Sequence, residues 1–210
     1  MARPTRLTRA FYDRPTLEVC RDCLGKYLVY ISPKGRLAAR IVEVEGYIGE
    51  NDPACHAASG PSKRNRHLYD KPGTAYLYLI YGSYYCLNFV TEKESFPAAV
   101  LLRAAEPVEG VEIMRRRTET VLPGSKLLSG PGRCCRSFGL TLEQNGYDMA
   151  LEDSILYLED RHDPKPEVEV SPRIGITKAA DRLWRFYDRD SNAVSGPASF
   201  RRSGSARADR

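Results

Sequence analysis

The spacing of apolar positions changes several times along the chain, and each change marks an element. Residues 5–24 read as a polar lead-in followed by an amphipathic helix that stops near Gly25. Residues 26–31 and 37–48 alternate or run apolar around Pro33-Lys34-Gly35, which predicts strand, turn, strand. Residues 49–72 show little periodicity and carry Pro53, Gly60, Pro61 and a basic run, the marks of a long functional loop. Residues 74–81 and 84–90 are rich in tyrosine and aliphatics and flank Gly82-Ser83, so a hairpin with a type II′ turn is predicted. A strand over 98–105 follows, and Pro107 is expected to open a helix reaching Arg117. Ser129-Gly130-Pro131 reads as an N-cap leading into a short helix closed by Gly139. Further strands are predicted over 150–160, 166–170 and 173–176.

No repeat and no linker interrupts this pattern, so one mixed α+β domain is expected over residues 10–200. A basic N-terminal arm over 1–9 is expected before it, and a flexible Arg/Ser/Gly-rich tail over 201–210 after it. Apolar runs are far too short for a membrane span. The basic N-terminus lacks the apolar stretch of a secretory signal, so a cytoplasmic location is expected.

The formal net charge of +5 is mild, but its distribution is not uniform. Basic residues cluster at Arg3, Arg6 and Arg9, at Lys63, Arg64 and Arg66, at Arg115-Arg116-Arg117, and at Arg133 and Arg136, positions that a fold might bring to one phosphate-facing surface. Six cysteines include Cys20-Arg21-Asp22-Cys23, yet no second pair at matching spacing completes a zinc site. Buried free thiols on one helix face are expected instead.

Two segments carry candidate chemistry. On a strand, Glu43, Glu45 and Tyr47 share one face, with Val42 and Val44 on the other, so a carboxylate lies beside an aromatic ring. The hairpin gathers Tyr76, Tyr78, Tyr81, Tyr84 and Tyr85, and a tyrosine at its tip escapes burial by its own ribbon. Such an aromatic suits insertion between base steps. His56, taken alone, fits a packed hydrogen-bonder better than a catalyst.

In order and at compatible spacing, Arg40-Ile-Val-Glu-Val-Glu-Gly-Tyr47, Cys55-His56, Arg64-Asn65, Pro72-Gly73, Tyr76-Leu-Tyr78-Leu-Ile-Tyr81-Gly82, Cys86-Leu-Asn88 and Leu101-Leu-Arg103-Ala-Ala-Glu-Pro107 resemble the alkyladenine (methylpurine, 3-methyladenine) DNA glycosylases. Ser129-Gly-Pro131 and Pro172-Arg173-Ile-Gly175 fit later parts of the same pattern. The resemblance implies a strongly curved, mainly antiparallel, open barrel-like sheet with helices outside and a protruding hairpin. It implies a monofunctional base-excision-repair enzyme that flips alkylated or deaminated purines from duplex DNA and hydrolyses the N-glycosidic bond. By the same resemblance Glu45 is the general base, and Arg103 and the Ile174 carbonyl hold the water. Tyr47, His56 and Tyr78 clamp the base, Tyr76 orients His56, Asn88 crowds the guanine 2-amino position, and Tyr81 is the wedge. Lys63, Arg64, Arg66, Ser129, Gly130 and Arg133 are DNA-backbone candidates. No metal or cofactor is implied, and a monomer acting on nucleoid DNA in a bacterial cytoplasm is expected. Gly46 and Ser83 depart from residues common in the family, and both bear on substrate range.

Three other readings compete. A noncatalytic binder would use the hairpin and basic clusters alone. A zinc deaminase lacks its motifs, since Ala57-Ala58 follow His56 and valine precedes Cys20. A sugar hydrolase would need Glu43 and Glu45 as its acid–base pair.

Overall fold

A computed structural model describes residues 3–118 and 121–197. The expected tail at 201–210 lies outside them. Nine strands are described: β1 (Thr5–Arg6), β2 (Tyr27–Ser32), β3 (Gly35–Ile48), β4 (Ala75–Ile80), β5 (Tyr84–Val90), β6 (Ala98–Glu109), β7 (Leu156–Asp160), β8 (Val168–Ser171) and β9 (Arg185–Asp188). Four helices pack around them: α1 (Arg9–Tyr12), α2 (Thr16–Cys23), α3 (Val111–Arg116) and α4 (Pro131–Phe138). The sheet runs β1-β7-β2-β3-β6-β5-β4 with all pairings antiparallel, and β9 joins β3 and carries β8 on its other side. It is an open antiparallel sheet in a single mixed α+β domain. Among the described residues no helix is long and apolar enough to cross a membrane.

β3 organises the molecule. One of its edges pairs with β6 from Ala38 to Ile48. The other pairs with β2 over Gly35–Arg40 and then with β9 over Glu43–Glu45. The change of partner coincides with two offsetting bulges. Ile41 faces Ala105, Glu43 faces Ala104 and Val44 faces Leu102, so Val42 on β3 and Arg103 on β6 are both left out of the register. Bulges turn a strand and re-aim its side chains, and here they do so beside the candidate chemistry.

Strand alternation then sorts the two faces. Leu77, Leu87, Phe89, Val100, Leu102 and Val44 enter the main core, which α2 and α4 help to close with Val19, Cys20 and Phe138. Each large aliphatic buried there contributes roughly 1.5–3 kcal/mol. The residues between them, Tyr76, Tyr78, Val90, Ala99 and Tyr47, face the opposite way. They meet Cys55, Ala57 and Leu68 from the long 49–72 loop in a second, smaller cluster. That second face holds the cleft.

Several sequence expectations are corrected. The hairpin turn is not a type II′ turn on Gly82-Ser83. Ile80 pairs with Tyr84, Tyr81 and Gly82 both have positive φ (50° and 71°), and Ser83 N–H donates to the Ile80 carbonyl. These are the signs of a type I′ turn one residue earlier. Pro107 stays inside β6 opposite the bulge at Ala38/Ala39, and the helix begins only after Gly110. Gly130, not Ser129, occupies the N-cap of α4, and no side chain caps it. Residues 173–176 form no strand, while β9 was not anticipated. Pro15 divides the first expected helix in two.

Residues 5–9 are also not a free arm. β1 pairs with β7, Arg6 lies over the Tyr157 ring and bonds the Leu151 and Ser154 carbonyls, and Arg9 pairs with Asp148. Arg117 is likewise engaged at the end of α4, where it donates to the Ser137 and Phe138 carbonyls. These arginines hold the fold together and are not available to line up along DNA.

Candidate active site

Glu45 sits on β3 with no exposed surface. Its Oε1 accepts a 2.7 Å hydrogen bond from the Ile174 N–H, and its Oε2 accepts one of 2.9 Å from the Tyr47 hydroxyl. Arg103 Nη1 stands 3.2 Å from Oε2. Burial pushes the carboxyl above its ordinary pKa and Glu43 adds to this, while Arg103, the Ile174 amide and the Tyr47 hydroxyl pull it back. The net effect is an acid that gives up its proton later than a solvated glutamate.

Tyr47, Arg103 and Ile174 line a cavity of about 420 Å³, together with His56, Tyr76, Tyr78, Asn88, Arg64 and, at the rim, Tyr81. This is the size range of small-molecule pockets. The strands explain the gathering: Tyr76 and Tyr78 from β4, Asn88 from β5, Arg103 from β6 and Tyr47 from β3 all fall on one face. The His56 and Tyr78 rings meet edge to face with centroids 4.4 Å apart. The Tyr76 hydroxyl lies 2.9 Å from His56 Nδ1, and the Asn88 amide donates to the Tyr76 carbonyl. Partial burial first, and nearby Arg64 second, hold the His56 pKa below the usual histidine value, which favours a neutral ring. Tyr81 is 84% exposed at the tip of the hairpin.

Ile174 reaches the carboxylate through its amide. Its position depends on two residues to which the sequence reading gave no role. Arg173 and Asp52 form a bidentate pair at 2.6 and 2.9 Å, both side chains fully buried, and Arg173 also donates to the Gly46 carbonyl. Its guanidinium lies 4.6 Å from the Tyr47 ring centroid and 5.0 Å from that of Trp184. Burial alone would raise the Asp52 pKa, but the Arg173 hydrogen bonds and charge outweigh it and hold the carboxyl low.

Glu43 has a different environment. Arg103 Nε and Arg185 Nε reach its Oε1 at 3.0 and 2.6 Å, and both the amide and the hydroxyl of Ser195 donate to it. All four of these donors belong to the buried framework, so Glu43 is tied into the fold and not poised as the second carboxylate of an acid–base pair. Val42, displaced by the bulge, packs with Ala104 and Ala193 and not beside Val44. Gly46 points away from the cavity: a Cβ there would meet Leu17 and Cys20 of α2, so its absence does not enlarge the pocket.

The backbone candidates divide. Arg64 lines the cavity and reaches the Leu79 carbonyl, while Lys63 and Arg66 are exposed on the same loop. Ser129 donates to the Val194 carbonyl, and the Gly130 amide to the Arg103 carbonyl. Arg133 is exposed on the first turn of α4, one residue after Gly132, which is packed against Tyr84 of the hairpin. Cys20 and Cys23 are free and buried, as expected.

Residues 10–192 match the family described as methylpurine-DNA glycosylase (MPG). The chain belongs to the methylpurine-DNA glycosylase family. It is similar to proteins named "Putative 3-methyladenine DNA glycosylase" from three organisms. The one from Methanocella arvoryzae is 52% identical over 90% of this chain and 95% of its own length. Those from Prosthecochloris aestuarii and Alkaliphilus oremlandii are 43% and 42% identical, again over 90% of this chain and over 91% and 98% of theirs. The cleft described above is thus the candidate active site of a DNA repair glycosylase. In this glycosylase the aromatic walls, Arg103 and the buried carboxylate all fall within the matched span.

Proposed function

We propose that the protein removes alkylated or deaminated purines from duplex DNA by flipping the nucleotide out and hydrolysing its N-glycosidic bond, leaving an abasic site. The observation that carries this reading is a carboxylate buried directly behind an aromatic cleft, with an exposed tyrosine at the rim. A glycosidic bond inside a duplex is out of reach, so extrusion must come first, at a cost of a few kcal/mol. Tyr81 is suited to fill the vacated step, and stacking on Tyr47, His56 and Tyr78 returns about 1–3 kcal/mol per base. A cationic alkylated purine stacks well on electron-rich tyrosine faces. Asn88 is assigned the role of crowding the guanine 2-amino group, a reading supported by its place on the cavity wall and its bond to the Tyr76 carbonyl.

In the reaction the C1′–N bond breaks and its electron pair leaves with the base. The water oxygen bonds to C1′, and the water proton passes to Glu45. The Glu45 carboxylate also opposes the positive charge that develops on the sugar. General-base assistance of this kind contributes about 10²–10⁴ in rate. Arg103 favours the ionised form that the step requires. Water is the nucleophile, one chain carries every part, and no step calls on a cofactor. Lys63, Arg64, Arg66 and Arg133, with the Ser129-Gly130 backbone, are proposed to meet the phosphates of duplex DNA in the cytoplasm.

The test is release of free base from duplexes carrying 3-methyladenine, 7-methylguanine, hypoxanthine or ethenoadenine, followed by the same panel with Glu45→Gln. Release by wild type and its loss in the variant are expected. A variant as active as wild type removes Glu45 from the chemistry.

A further inference from the structure

In the free protein the cavity does not reach Glu45. The side chain has no exposed surface, and Tyr47, Arg103 and Ile174 stand between it and the cavity. A general base must be within hydrogen-bond reach of the water it deprotonates. One of the three donors therefore has to leave and make room.

They are not equally free to do so. The Ile174 donor is a backbone amide, next to Arg173, which is tied to Asp52 and to the Gly46 carbonyl. Arg103 is anchored by Glu43 and by the Ser195 hydroxyl. The Tyr47 hydroxyl, by contrast, is the end of a ring that itself forms a cavity wall.

We propose that the Tyr47 hydroxyl is a displaceable plug on Glu45: a base packing against the Tyr47 ring draws the hydroxyl off Oε2, and water takes its place. The proposal rests on the glycosylase reading above and adds how the water gains access. Tyr47 is then a positioning residue as well as a stacking surface. Water is activated only when the cleft holds a base, and the empty enzyme keeps its carboxylate capped. The charged and titratable groups facing Glu45 are Glu43 and Tyr47 on β3, Arg103 on β6, Arg173 before β9, Cys20 on α2 and Cys86 on β5. Tyr47→Phe removes one hydroxyl and leaves the others, and the ring, in place.

The acid limb of kcat/KM reports the free enzyme, and that of kcat the bound complex. Losing a hydrogen bond that favours the carboxylate lifts its midpoint by roughly one pH unit. In Tyr47→Phe the kcat/KM limb is expected to move up by that amount, while the kcat limb stays at its wild-type position, because there the hydroxyl has already left. Equal movement of both limbs, or of neither, overturns the plug. Carbon-13 NMR titration of the Glu45 carboxyl in the free protein, assigned by its loss in Glu45→Gln, reads the same bond without turnover. A higher midpoint in the Phe variant supports the plug, and identical midpoints overturn it whether or not base is released. If wild type releases no base from any lesion duplex, the glycosylase reading itself falls and this proposal falls with it.

Discussion

Glu43 and Glu45 lie two residues apart on one strand, face the same way and are both completely buried, yet their surroundings differ in kind. Glu43 is consumed by structure: two arginines and both polar groups of Ser195 bind it. Glu45 has one backbone donor, one hydroxyl and one guanidinium at 3.2 Å, and every one of them belongs to a cavity wall. Arg103 touches both carboxylates, and the bulge that takes it out of register lets one side chain serve two sites. A buried charge surrounded by partners holds a fold together. One with removable partners is available for chemistry.

The largest effect expected to sharpen this contrast is on catalysis. Glu45→Gln should lower base release by about 10²–10⁴ while leaving the folding free energy within about 1 kcal/mol of wild type. Glu43→Gln should do the reverse. It leaves Arg185 without its carboxylate in a fully buried site, so a loss of about 3–5 kcal/mol is expected in urea unfolding. If the two variants gave the same profile, the division between structural and chemical carboxylate would be lost.

Tyr81→Ala comes next, at about 1–3 kcal/mol of retention on duplexes with an extruded lesion, with little change on undamaged duplex. Competition binding measures both, and equal losses would break the wedge assignment.

Smaller still are the pH effects, which have opposite signs in the two buried acids near the site. Glu45 has a raised folded pKa, so its contribution to stability is present below the unfolded value and is lost as pH rises through the folded value. Asp52 has a lowered one, so its contribution is present above the unfolded value and is lost as pH falls through the folded value. Subtracting the stability–pH curve of Glu45→Gln from that of wild type should therefore show wild type losing ground as pH increases past the ordinary glutamate range. Base release should fall on the acid side, starting above that same range. Gly46→Ala comes last, about 1 kcal/mol of stability lost to contact with Leu17 and Cys20, with lesion range unchanged in the release panel.

How much of this was legible in the sequence follows from the range of each interaction. Alternation placed Glu43, Glu45 and Tyr47 on one face, because a two-residue period is a local property. The aromatic hairpin was legible for the same reason, although its turn was displaced by one residue through the positive φ of Tyr81. The ordered motifs named Arg103, His56, Asn88 and Ile174, which the fold gathers along one cleft. What could not be read were pairs joined across the chain: Asp52 with Arg173, and Glu43 with Arg185 and Ser195, are separated by 121, 142 and 152 positions. An Asp-Pro in one loop and an arginine in another carry no local sign of each other. The bulges were equally silent, since skipping Val42 in the pairing leaves no mark in composition.

The seat of the hairpin has one more consequence. Tyr84 rests directly on Gly132 at the start of α4, where any Cβ would lie within about 3 Å of the ring, and the residue two before that glycine grips the Arg103 carbonyl. A sideways push on the ribbon has a short load path: ring to helix, helix to strand, strand to guanidinium. The hairpin and the wall of the cleft thus share a common mount.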